Sequence, residues 1–125
     1  MILIDSSVWI DHLRTENTLL RTLLLDRSAT THPLVIGEVA MGSLRDRQDF
    51  LELLDDLPKA EEADHREVRL LVERNRLFGL GIGYIDAHLL ASTRLTLGVS
   101  LWTRDRRLHE AALRLGIAFQ ADRPH

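Results

Sequence analysis

The sequence predicts an α/β domain with a short parallel sheet covered by helices on both faces. Three observations lead there. An apolar strand, ILI at residues 2–4, runs directly into a helical pattern; two later strand candidates, VSLWT (99–103) and GIAFQ (116–120), flank another helix; and helical periodicity fills most of the chain between. Strands separated by helices need crossover connections, which give parallel pairing with both sheet faces buried. The 125 residues, 45% hydrophobic with 3 prolines, suit a single domain over 1–125 with one core.

Each element follows from its local chemistry. Residues 2–4 read as a central strand, and Ser6 or Ser7 is placed to cap a helix carrying Val8, Trp9, Ile10 and Leu13. ENTLLRTLLLD (16–26) forms a second helix and SATTH (28–32) a brief strand or turn. Pro33 suits the first position of a helix through PLVIGEVAMGSL, because its missing N–H has no helical partner to lose there. In DRQDFLELLDDL, Phe50, Leu53, Leu54 and Leu57 follow i, i+3, i+4, i+7 spacing, which turns the acids of that helix to water. PKAEEAD (58–64) suits a turn and short edge strand, and HREVRLLVERNRLF a helix. GLGIG (79–83) breaks the pattern and YIDAHLLASTRL resumes it. In RRLHEAALRL, Leu108, Ala111, Ala112 and Leu115 form one apolar stripe.

Composition narrows the function. No stretch approaches the roughly 20 apolar residues of a membrane helix, and the N-terminus lacks the basic start and small-residue cleavage site of a secretory signal. A soluble, cytoplasmic protein is the expectation. Cysteine is absent, so any metal must sit on oxygen or histidine. The net charge of -3 gives no global attraction to nucleic acid, yet the positive charge is almost all arginine, with Lys59 the only lysine. Arginine's planar fork suits phosphate, but a GC-rich coding sequence produces the same bias, so only local placement is informative.

Most of the 19 acidic residues lie on polar helix faces; four do not. Asp5 follows the first apolar strand, and ligands of open α/β sheets bind at strand carboxyl ends; the plainer reading is an N-cap or Asx turn. Glu38 shares a helix face with Leu34, Val35 and Met41, where an unpaired carboxylate loses solvation and needs an arginine, a proton or a metal. Asp86 stands in a first helical turn with Leu89 and Leu90 on its face, where it also answers the helix dipole. Asp105 follows the strand ending near Trp102 and equally suits a cap. At one sheet edge the four would repel one another unless a divalent cation neutralised them. Oxygen ligands without cysteine suit Mg²⁺ or Mn²⁺, whose usual chemistry on carboxylates is phosphoester hydrolysis or transfer.

Those residues also carry a resemblance. ILIDSSVWIDHL at the start, Glu38 in HPLVIGEVAMGSL, Asp86 in GIGYIDAHLLAS and Asp105 in LWTRDRRL resemble, in this order and at these separations, the PIN-domain ribonucleases, specifically the VapC toxins of type II toxin-antitoxin pairs. The resemblance spans nearly the whole chain. It implies a three-layer α/β/α PIN domain with a short parallel sheet, metal-dependent cleavage of single-stranded RNA regions and inhibition by a cognate VapB antitoxin. It implies Asp5 and Asp86 as principal metal-binding acids, Glu38 as the third acid and Asp105 as the fourth and more variable one. Ser6 and Thr103 match hydroxyl positions near the site. A second toxin subunit is the other implied partner.

Several features stand beside this expectation. Arg104, Arg106 and Arg107 adjoin Asp105 and can grip an RNA backbone, with Arg104 and Arg106 favoured; Arg74 and Arg76 precede the glycine stretch. Histidines 12, 32, 65, 88, 109 and 125 show no ligand spacing, and GLGIG lacks the dinucleotide-binding pattern because Tyr84 follows Gly83. Trp9 and Trp102 read as core, and Asp11 as the polar side of its helix. Two rivals remain: a receiver-type signalling domain, for which Lys59 is the only available lysine, and a non-catalytic scaffold of the same fold. The first two helices and PLVIGEVAMGSL hold more apolar residues than a small sheet covers, which points to a partner surface.

Overall fold

The computed structural model describes residues 1–120. Strand β1 (Ile2–Ile4) lies between β2 (Ala29–Thr30) and β3 (Ser100–Trp102) in a parallel sheet of order β2-β1-β3. Ile2 pairs with both Ala29 and Ser100, and Ile4 with Trp102. The Asp5 N–H donates to the Trp102 carbonyl at 2.9 Å, so the ladder runs one residue past β1 and leaves Asp5 at the carboxyl edge of the central strand.

Two expected strands are smaller than the sequence suggests. GIAFQ contributes one parallel bridge, Leu101 with Ala118, and PKAEEAD one bridge, Thr31 with Lys59. The strands beside them are themselves only two and three residues long.

The helices are α1 (Ser6–Arg14), α2 (Thr18–Leu25), α3 (Pro33–Ala40), α4 (Arg47–Asp56), α5 (His65–Asn75), α6 (Tyr84–Leu95) and α7 (Arg106–Arg114). Helix α3 packs between α1 and α4, α5 lies on α6, and α6 and α7 both meet β3, giving the three-layer α/β/α arrangement. Leu3, Ile4, Leu20, Leu89, Leu90, Leu101 and Leu108 are fully buried at its centre. Trp9 meets Phe50 edge-on at 5.9 Å and Trp102 packs on Phe119 at 5.5 Å, so both tryptophans are core residues.

The start of α3 follows the local chemistry, and that of α1 does not. Pro33 opens α3 behind His32, whose Nδ1 accepts the Leu34 N–H at 3.0 Å. That bond puts the imidazole proton on Nε2, which donates to Ser92 Oγ at 3.1 Å. Neither Ser6 nor Ser7 caps α1: Asp5 occupies the N-cap position without a side-chain cap bond. The two serine hydroxyls are engaged by carboxylates instead, and that diversion builds the site described next.

Candidate metal centre

Asp5 and Thr103 stand at the carboxyl edges of neighbouring parallel strands, and both are buried. Asp5 Oδ2 accepts two hydroxyl bonds, from Ser7 Oγ at 2.7 Å and from Thr103 Oγ1 at 2.8 Å. Each hydroxyl in turn accepts a backbone N–H from the turn after β3: Ser7 Oγ from Arg104 and Thr103 Oγ1 from Asp105, both at 3.0 Å. Asp5 is thereby tied to the turn that carries Asp105. Its second oxygen, Oδ1, has no protein partner among the described residues. The buried side-chain polar atoms lacking a partner there are Trp9 Nε1 and Thr31 Oγ1, so Asp5 Oδ1 is open to solvent although the residue as a whole is 4% exposed.

The other three acids approach from separate helices. Half-buried Glu38, on α3, accepts Ser6 Oγ at 3.2 Å on Oε1. Burial pushes its carboxyl above the usual range, the Ser6 bond opposes that, and the charges of Asp5 and Asp86 push it further up. Asp86, in the first turn of α6, accepts the Gly83 N–H at 3.1 Å on Oδ2. Its carboxyl is also raised, chiefly by burial against the Gly83 bond, with Asp5 and Asp105 adding repulsion. Asp105 caps α7, its Oδ1 accepting the N–H groups of Arg107 at 2.9 Å and Leu108 at 3.2 Å. Asp5, Glu38 and Asp86 therefore lie within electrostatic reach of one another and Asp105 within reach of Asp86, while Asp105 also caps α7.

No cation offsets this charge among the described residues. Arg104 Nη1 pairs with Asp11 Oδ2 at 3.2 Å and Arg106 Nε with Glu110 Oε1 at 3.3 Å, both in exposed pairs. Lys59 Nζ donates to the carbonyls of Asp55 and Leu57, which removes the lysine that a receiver-type site requires. Among the described residues four histidines are engaged elsewhere: His32 is a cap, His12 Nδ1 accepts the Asn17 N–H, and His65 and His88 pack with Tyr84. His125 lies outside the described residues.

The donor chemistry fits a hard divalent cation. Each of the four carboxylates is anchored through one oxygen and, among the described residues, has no protein hydrogen bond on the other. Among the described residues no group of three or more histidine, cysteine, aspartate or glutamate side chains is arranged so that it could hold a metal ion. Mg²⁺ does not need one, because it keeps several waters and binds proteins through one or two carboxylates. Thr103 orients Asp5, while Ser6 serves Glu38. Ser7, which the sequence reading passed over as a site residue, serves Asp5 together with Thr103. Its signal was the two-residue spacing from Asp5, a common distance for hydroxyl and carboxylate side chains to meet in a turn.

Comparison with known proteins agrees with the geometry. The model of the PIN domain matches residues 2–113. Ribonuclease VapC32 of Mycobacterium tuberculosis strain CDC 1551 / Oshkosh is 49% identical over 118 residues, covering 94% of this chain and 95% of the relative. The protein of the same name from strain ATCC 25618 / H37Rv matches to the same extent. Among the described residues no helix is long and apolar enough to cross a membrane. This chain belongs to the PIN-domain family, among its VapC-type ribonucleases.

Proposed function

We propose that residues 1–125 act as one cytoplasmic domain, a Mg²⁺- or Mn²⁺-dependent endoribonuclease that cuts single-stranded RNA regions and is held inactive by a VapB-type antitoxin. The observation that carries this reading is the uncompensated mutual repulsion that links Asp5, Glu38, Asp86 and Asp105. Asp5, Asp86 and Asp105 would hold the cation, with Glu38 as the fourth catalytic acid. A bound divalent ion supplies a lowered water pKa and neutralises charge developing on a phosphate in flight.

The chain's own groups do the positioning. Ser7 and Thr103 hold Asp5 in one orientation, so its free oxygen is presented without searching rotamers. Ser6 holds Glu38 through Oε1 and leaves Oε2 for a water or ligand. The cap bonds to Asp105 and the Gly83 bond to Asp86 do the same for the remaining two. Arg104 and Arg106 lie beside Asp105 and offer charge to the RNA backbone; their exposed ion pairs are worth roughly 0.2–1 kcal/mol and open readily.

A partner surface supports the regulatory half of the reading. Met41 is 88% and Leu25 74% exposed, and Ile10, Leu13, Val39 and Leu44 line a groove between α1 and the end of α3. A second subunit and the antitoxin are the proposed occupants. Solution scattering that found a monomer at micromolar concentration, with and without antitoxin, would reject the homodimer.

The test is cleavage of end-labelled total RNA by purified protein with Mg²⁺, Mn²⁺ or EDTA, beside Asp5→Asn. Cutting that needs metal, disappears in the variant and leaves 5′ phosphate and 3′ hydroxyl ends is the expected result. Products ending in 2′,3′-cyclic phosphate would show instead that the RNA's own 2′ hydroxyl attacks.

A further inference from the structure

Gly81 lies in the loop that leads to Asp86 and holds φ at +80°, a conformation that side-chain-bearing residues rarely adopt. A Cβ placed on it would fall 2.6 Å from Arg107 Nη1, 3.0 Å from its Cδ and 3.1 Å from its Cζ. The guanidinium therefore occupies the space that the glycine leaves open. Arg107 sits two residues after Asp105, and Gly81 two residues before Gly83, whose N–H holds Asp86. The Arg107 side chain thus spans the two segments that carry Asp86 and Asp105.

It does so without being neutralised. Among the described residues Arg107 makes no ion pair and its side chain no hydrogen bond, whereas its neighbours Arg104 and Arg106 are both paired with acids. Nor does it compensate the acids, since no basic group lowers the carboxyl of Glu38 or Asp86. An exposed arginine held against backbone beside an acidic cleft keeps its donors for an anion.

We infer that Arg107, seated on Gly81, is the pre-positioned phosphate contact of this enzyme and grips a phosphodiester of single-stranded RNA next to the one that is cut. The inference rests on the ribonuclease reading. It assigns the contact that the sequence placed on Arg104 and Arg106 first of all to Arg107, because its seat against Gly81 restricts the rotamer freedom an exposed arginine otherwise loses on binding.

The test measures binding of a fluorescein-labelled single-stranded RNA oligonucleotide in EDTA, by polarisation from 50 to 200 mM salt, for wild type, Arg107→Ala, Arg107→Lys and Gly81→Ala. One phosphate contact on a single strand contributes about 0.7 to the slope of log affinity against log salt. Arg107→Ala should lower affinity roughly tenfold at 50 mM, narrowing to about fourfold at 200 mM as that slope is lost. Arg107→Lys should keep the slope. Gly81→Ala should weaken binding by pushing the guanidinium aside, and should add little in the Arg107→Ala background. Mn²⁺ affinity, measured by calorimetry, should not change in Arg107→Ala. Wild-type binding with an unaltered slope in Arg107→Ala overturns the inference alone; no RNA binding by wild type overturns it together with the ribonuclease reading.

Discussion

Replacing Thr103 by valine keeps the shape of a buried side chain and removes one hydroxyl, so its main consequences are those of the two shorter of its three hydrogen bonds, the third being the 3.3 Å contact with Ser7 Oγ. Asp5 Oδ2 loses a 2.8 Å donor, and the Asp105 N–H loses its 3.0 Å acceptor. A bond to a charged group is worth about 1.5–3 kcal/mol, and an orphaned N–H that stays dry adds about 1–3 kcal/mol. Asp105 is exposed, so its N–H is partly rehydrated, and the net loss should be about 2–4 kcal/mol. With a urea m-value of about 2 kcal/mol/M, the unfolding midpoint falls by roughly 1–2 M. Thr103→Ser keeps the hydroxyl and loses only a methyl, about 0.8 kcal/mol. Cleavage should follow the same order, with a loss of roughly 10–100-fold in the valine variant because Asp5 is no longer held in place. The assay is urea unfolding by circular dichroism alongside RNA cleavage. A valine variant within 0.5 kcal/mol of wild type, or a serine variant as damaged as valine, would refute the reasoning.

Other outcomes follow from the same geometry. Mn²⁺ added to the metal-free protein should raise its stability, by about 2.7 kcal/mol at 100 times the dissociation constant; EDTA should reverse the rise and Asp5→Asn should lose most of it, as read by thermal shift. Glu38 and Asp86 have raised carboxyl pKa values, so the folded state holds their protons more tightly than the unfolded chain does. Stability of the metal-free protein should therefore fall as pH rises from the ordinary carboxylate range through the raised values, and Glu38→Gln should flatten that fall while abolishing cleavage. His32 has the opposite sign: burial lowers its pKa despite Glu62, so the unfolded chain takes the proton first. Its contribution to stability is present above about pH 6.5 and is lost as pH falls below it, and NMR should show the ring titrating below the free-imidazole value with its proton on Nε2.

The local part of this protein was written in its sequence. Helix positions follow from apolar spacing in segments such as 46–57, and Pro33 opens its helix because proline tolerates that position. The four acids stand out in the sequence because each is a charge set among apolar neighbours or at a strand end, a placement that solubility does not explain. The fold class followed from strands alternating with helices, although the lengths of the last strand and of the 58–64 segment did not.

Tertiary structure decided which groups serve those acids. Thr103 and Asp5 are 98 positions apart and meet only because β1 and β3 are parallel neighbours in register. Ser6 and Ser7 both looked like helix caps; distant Glu38 took the Ser6 hydroxyl, and Asp5, itself held by distant Thr103, took that of Ser7. His32 gained a role from Ser92, 60 positions away, and Arg107 from a glycine in a different loop. Periodicity and capping act over a few residues and leave a mark on composition, whereas the pairing of a side chain with one distant atom depends on where crossovers set down the strands and helices, and no local pattern encodes that.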